Sequence, residues 1–294
     1  VSFIPTSAIP ALQNNKYINY LKVRLGYSTS AGFPGAYETR PVLGIATRTF
    51  LDRASTPVNV NAISGTLPNP DLKPELQTEF EAGIEGKFLK NRLTLDLTLY
   101  NRISKNQLLN RDLDPSSGYS SIKINAGQVS NKGIEMGLGY TFVQTKDWNW
   151  KVDALWTINR SMVSDIPSDL KEIVYAGYTT LGNFAINGQP LGVIKGYYWQ
   201  REAKTGQRIV SATGDYISSQ EIGIIGDPTP KYKLTGISNL SYKGISFRMQ
   251  WEYTCGGDMY SSTTRSLIAR GVTKDTEFDR AAPYLLPGVD ANGN

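Results

Sequence analysis

The sequence predicts an all-β fold, an antiparallel transmembrane β-barrel present in part, with about eight strands of a larger wall. Three observations predict it. Long runs alternate apolar and polar residues with a period of two. Short turns and long connections alternate along the chain. No stretch approaches the roughly 18 apolar residues of a membrane helix, so any crossing has to use strands.

The strands read as follows in chain order. Leu21, Val23, Leu25 and Tyr27 alternate with Lys22, Arg24, Gly26 and Ser28. Phe80, Ala82, Ile84, Gly86 and Phe88 alternate with Glu81, Gly83, Glu85 and Lys87. Leu93, Leu95, Leu97 and Leu99 alternate with Thr94, Asp96 and Thr98. Ile134, Met136, Leu138, Tyr140 and Phe142 face one way, and Glu135, Gly137, Gly139 and Thr141 the other. Trp148 to Ile158 follows the same rule except at Leu155, which falls on the polar side. The segment 232–242 is looser: Tyr232, Leu234, Leu240 and Tyr242 fit, whereas Ile237 and Ser238 do not. Ile245, Phe247, Met249, Trp251 and Tyr253 alternate with Ser246, Arg248, Gln250 and Glu252.

These runs predict strands of about 9–11 residues, the length that crosses a bilayer at a tilt. Short turns are expected at 90–91, 145–147 and 243–244, and long polar loops at 30–77, 104–131 and 161–230. Aromatics crowd the strand ends, where an apolar body with a polar tip suits a membrane interface. A soluble β-sandwich would also alternate, but it has no reason to gather its long connections at one end. On this reading Leu93, Leu95, Leu97, Leu99, Trp156, Phe247 and Trp251 face lipid.

Composition removes whole classes of chemistry. Histidine is absent, which excludes histidine general bases, the Ser-His-Asp triad and histidine-ligated metals. Cys255 is the one cysteine, so neither an internal disulfide nor a cysteine-cluster metal site is expected. The net charge is +5, but Lys and Arg lie scattered among the acids with no basic run, so no nucleic-acid partner is expected. No internal repeat is seen. Val1 and the loop-like Ala291-Asn292-Gly293-Asn294 read as cut ends, so residues 1–294 are expected to be an internal fragment of a larger barrel.

Several segments carry a resemblance. Asn69-Pro70-Asp71-Leu72-Lys73-Pro74-Glu75, followed by Thr78-Glu79-Phe80-Glu81-Ala82-Gly83-Ile84-Glu85, resembles the entry to a barrel strand in TonB-dependent receptors. The run from Asn125 to Glu135 (NAGQVSNKGIE), Gly188-Gln189-Pro190-Leu191-Gly192, Gly226-Asp227-Pro228-Thr229-Pro230-Lys231-Tyr232 and Gly257-Asp258-Met259-Tyr260 are similar to segments of the SusC/RagA importers of Bacteroidetes. The resemblance covers almost the whole chain and places it in the later part of the barrel. It implies a Gram-negative outer-membrane location, a barrel of roughly 22 strands, and a plug domain and closing strands that this chain lacks. It also implies a TonB-type energy transducer acting through the plug, a SusD-like surface lipoprotein as lid, and a SusC–SusD dimer of heterodimers. Many members carry an acidic calcium-loop-like stretch where this chain has Ala212 to Glu221, which lacks the required Asp spacing. No metal and no cofactor are expected.

The candidate functional residues are of two kinds. Arg24, Glu81, Glu85, Asp96, Glu135, Lys151, Asp153, Arg248 and Glu252 are expected to line a wet lumen. Their mixed signs suit hydrogen bonding to a plug and water better than a single-sign ion filter. Tyr197, Tyr198 and Trp199 lie in a long loop and are expected to contact ligand or lid, or to pack the loop. Glu81 and Glu85 share a strand face, but no catalytic constellation surrounds them, and no enzyme is expected. The function this predicts is TonB-coupled import of oligosaccharides or oligopeptides. The alternatives are a passive porin or structural barrel, and a soluble extracellular binding protein.

Overall fold

The computed structural model describes residues 1–13, 15–51, 53, 57–282, 286–290 and 293. Its main element is an eight-stranded antiparallel sheet in which each strand pairs with the next in chain order. The strands are β1 (Ser2–Phe3), β2 (Ile18–Gly32), β3 (Glu75–Phe88), β4 (Leu93–Lys105), β5 (Gln128–Gln144), β6 (Trp148–Ser164), β7 (Tyr232–Tyr242) and β8 (Ile245–Cys255). The sheet is open, since β1 and β8 each pair on one side only among the described residues. It is a partial wall rather than a closed barrel.

The register turns the sequence alternation into rows across the sheet. One face carries Val23, Ile84, Leu97, Met136, Trp156, Leu234 and Tyr253 in a single row. The next row on that face is Leu21, Gly86, Leu95, Leu138, Ala154, Gly236 and Trp251. The opposite face interleaves Arg24, Gly83, Thr98, Glu135, Thr157 and Lys233 with Lys22, Glu85, Asp96, Gly137, Leu155, Thr235 and Glu252. A slip of one residue would exchange the faces, so the pattern itself specifies the register.

The two breaks in the pattern have local causes. Leu155, on the polar face, lies over Gly137, with its Cδ2 3.4 Å from where a Cβ would stand. Ser238, on the apolar face, accepts a 3.1 Å hydrogen bond from Trp150 Nε1, so an indole that would lack a partner among apolar groups has one. Strand 232–242 therefore runs unbroken.

The long strands span 11 to 17 residues, and β2 to β6 exceed the length that the alternation indicates. The extra length is at the end away from the short turns, where β4 continues through Asn101 and Arg102 beyond the leucine run. The short turns are as the sequence indicates. Leu89, Lys90 and Asn91 have positive φ, as do Lys243 and Gly244, which suits a tight hairpin of two long strands. A further connection at this end, for which the sequence carries no expectation, includes helix α1 (Pro5–Ala8), held to β2 by Thr6 and Leu21.

The long connections differ from the polar loops expected, because they fold into sheets of their own. Leu43–Leu51 pairs with Pro57–Ile63, and Ser121–Asn125 lies between Thr66–Leu67 and Leu108–Asp112. Glu172–Tyr178, Leu181–Ile186, Val193–Gly196 and Gly223–Gly226 form a four-stranded sheet. After β8 comes a second helix, α2 (Ser262–Ala269), capped by Ser261 Oγ accepting from Thr264 N. The buried apolar cluster lies where these connections meet the wall, at Ala126, Val129, Val163, Ile166, Ile173 and Ala185.

Candidate functional site

The polar face is laced by ion pairs, all but one of those below running across strands. Arg24 Nη2 reaches Asp96 Oδ1 at 2.8 Å, and its Nε lies 3.5 Å from Glu81 Oε1. The same guanidinium donates to Thr98 Oγ1. Gly83 makes this possible: a Cβ there would lie 2.5 Å from Arg24 Nε, so the long side chain lies flat across the glycine. Lys22 and Glu85 approach to 3.9 Å, Lys151 and Asp153 to 2.7 Å, and Lys233 and Glu252 to 3.6 Å. Near the far end, Arg102 holds Glu79 with two bonds of 3.1 and 3.2 Å.

Seven of the nine predicted charged residues thus join pairs. Glu135 and Arg248 lie on the same face without a salt bridge among the described residues. Lys22, Glu79, Arg102 and Lys233 belong to the network but were not among the nine candidates, Glu79 and Arg102 because both lie beyond the alternating runs. Every pair retains water access, so each is worth about 0–1 kcal/mol. Such pairs fix side-chain positions and keep the face wet more than they stabilise it.

The motifs quoted above are clasps along the rim of the wall. Asn125 accepts from Lys73 N at 2.7 Å and donates to Lys73 O at 2.7 Å, which joins two of them side by side. Gly188 N and Val163 O, then Val163 N and Gln189 O, each pair at 2.9 Å and fasten the four-stranded sheet to β6. Asp258 N donates to Asp227 O at 2.7 Å, and Asp227 N to Asp258 Oδ2 at 2.8 Å. Glu38 at this end bonds Lys123 and, at 2.7 Å, Gly35 N; the lysine ammonium holds its carboxyl below the ordinary glutamate range.

Tyr197, Tyr198 and Trp199 follow the strand Val193–Gly196 and remain about half exposed. The Tyr198 ring covers Gly223, where a Cβ would lie 2.6 Å from the ring. Trp199 sits 5.6 Å from the ring of Tyr216. All three line an open groove of about 1320 Å3 against α2, together with Ile224, Met259 and Arg265. The stretch 212–221, where a calcium loop was not expected, opens on a turn closed by Ser211 N donating to Asp215 O at 2.8 Å and continues through β-bridges at Tyr216 and Ser218.

The family model of the TonB dependent receptor-like β-barrel matches residues 10–292. The chain belongs to that family. TonB-dependent receptors are proteins of the Gram-negative outer membrane. Two relatives from Formosa agariphila are similar. TonB-dependent receptor P26 is 25% identical over 94% of this chain and 29% of its own length. TonB-dependent receptor P3 is 24% identical over 68% of this chain and 22% of its own. The chain thus spans less than a third of the receptors it matches.

Among solved structures, the RagAB peptide transporter superposes on 87% of this chain and 28% of its own, with a TM-score of 0.67 and 23% identity. The RagAB importer in its closed-closed state gives a TM-score of 0.68 over the same share. These likenesses establish the fold. In TonB-dependent receptor terms the open sheet is a sector of the barrel, and its two free edges are where further strands would pair.

Proposed function

We propose that this chain forms part of the wall of a SusC/RagA-type outer-membrane importer of Bacteroidetes, energised through TonB, that takes up oligosaccharides or oligopeptides. The observation that carries the reading is the separation of the two faces over strands of 11 to 17 residues. An apolar face without a packing partner suits lipid, and an ion-paired, wet face suits a large lumen filled by a plug and water. Arg24, Glu81, Glu85, Asp96, Glu135, Lys151, Asp153, Arg248 and Glu252 then line that lumen. The sheets built on the long connections lie outside the cell, and the turns 90–91, 145–147 and 243–244 lie in the periplasm.

Tyr197, Tyr198 and Trp199 stand in the groove on the outer side, where aromatic faces stack on sugar rings or on peptide side chains. A SusD-like lipoprotein closing over this end, in a dimer of heterodimers, completes the reading, and the plug and closing strands belong to the rest of the receptor. The barrel performs no covalent chemistry. Because the RagAB structures are described as a peptide importer, a mixed peptide pool is the first ligand to test. The experiment is uptake by cells carrying the full-length receptor, with and without the TonB homologue. Loss of uptake with surface binding retained supports an energised importer. Undiminished uptake makes the protein a passive pore.

A further inference from the structure

The apolar face carries an asymmetry of charge. Across β2 to β8, the residues that register places on this face include three charged side chains, Lys105, Lys132 and Arg160, and no acid. The opposite face mixes both signs along its whole height. Lys132 and Arg160 stand directly opposite each other on β5 and β6. Like charges at such a position repel. Neither has a salt-bridge partner among the described residues, and both are exposed.

Their height is defined by the register. The row that holds them runs Tyr27, Phe80, Asn101, Lys132, Arg160. It lies immediately beyond the last fully apolar row, Leu25, Ala82, Leu99, Ile134, Ile158, on the side of the long connections. Trp150, in the aromatic group near the short turns, is ten residues from Arg160 on β6, about 33 Å along a strand and about 25 Å along the membrane normal at a typical tilt. The cations therefore sit one hydrocarbon thickness from the opposite aromatic belt, at headgroup level, beside the exposed rings of Tyr27 and Phe80. Arg160 is held in place, since its guanidinium donates to Asn159 O, Pro230 O and Lys231 O at 3.0, 3.2 and 2.9 Å. Those carbonyls satisfy N–H groups without neutralising the charge. Lys105 lies higher on the same face, paired in register with Gln128.

We infer that Lys132 and Arg160, with Lys105 above them, hold a phosphate-bearing lipid of the outer leaflet against the outside of the wall. The inference rests on the orientation proposed above, in which this rim faces the outer leaflet. An anionic headgroup relieves the repulsion between the opposed cations, and its chains lie along Leu99, Ile134 and Ile158.

The test uses the full-length receptor in nanodiscs of phosphatidylcholine containing a minor share of phosphatidic acid, with retained lipid counted by native mass spectrometry. The wild type is expected to enrich phosphatidic acid over its share in the disc. K132Q should lower that enrichment about fivefold, and K105Q/K132Q further. These variants leave the Arg160 clamp intact, so folding is preserved. Equal enrichment in wild type and K105Q/K132Q overturns the inference, as does displacement of the lipid by millimolar inorganic phosphate, which marks a free-anion site instead. A separate arm labels Lys132→Cys, in a Cys255→Ser background, with an impermeant maleimide on intact cells. Labelling only after permeabilisation, with enrichment retained, overturns the outer-leaflet assignment and leaves an anionic-lipid site on the other leaflet.

Discussion

The wall and the sheets on its rim use the same residue types in opposite ways. In the rim, apolar side chains are inside: Phe184 and Val193 have 1% of their surface exposed. In the wall, Leu25, Leu99, Phe247, Met249 and Trp251 stand outward with about half of theirs exposed. A soluble protein does not leave a continuous apolar face of seven strands bare. The difference teaches that each region is built for its own solvent, water around the rim and hydrocarbon around the wall.

The largest effect expected is in the rim. Phe184→Ala empties a fully buried site and should destabilise the four-stranded sheet by about 3–5 kcal/mol. Hydrogen exchange in the full-length receptor should quicken across 172–196 while β4 and β5 stay protected. Equal loosening of the wall would break the distinction between the regions.

The converse change is a charge in the wall. Leu97→Arg, in the middle row of the apolar face, should cost about 2–4 kcal/mol of folding into lipid. Tyr178→Arg, at the exposed end of a rim strand with 77% of its surface accessible, should cost almost nothing. Folding yields into vesicles compare the two. A tolerated Leu97→Arg would show that the leucine face does not meet hydrocarbon.

Smaller effects sharpen the polar side. Arg24→Met leaves Asp96 and Glu81 on a wet face, so the loss should be about 1 kcal/mol or less by urea titration. A severe loss would mean that this face is dry. In the rim, Glu38 has a lowered carboxyl pKa because of Lys123. Its stabilisation is complete above the ordinary glutamate range and is lost as pH falls through the lowered value. Hydrogen exchange at residues 35–40 should therefore rise in acid by less than about tenfold, and Glu38→Gln should remove that pH dependence.

Much of this was legible in the sequence. The faces follow from period two, because a strand against lipid leaves no other freedom to its side chains, and the turns from the short breaks between alternating runs. The nine charged candidates share one face of the sheet for the same reason. Strand ends were not legible: beyond Leu99 the alternation stops, although ladder pairing with β3 and β5 carries β4 to Lys105. Arg102 and Glu79 were missed with it. The sheets within the long connections were also hidden, since Phe184 and Val193 pair between strands of only six and four residues, too short to display a period. The function of the clasps, such as Asn125 with Lys73, depends on pairing that no single segment displays.

The central claim is that one face of the wall meets lipid and the other a wet lumen. It is tested most directly by spin labels placed one at a time from Leu93 to Leu99 in the full-length receptor carrying Cys255→Ser. Oxygen, which partitions into hydrocarbon, should relax labels at 93, 95, 97 and 99. A water-soluble nickel complex should relax those at 94, 96 and 98. Alternation of this phase is the predicted result. Uniform accessibility, or alternation of the opposite phase, would contradict the account.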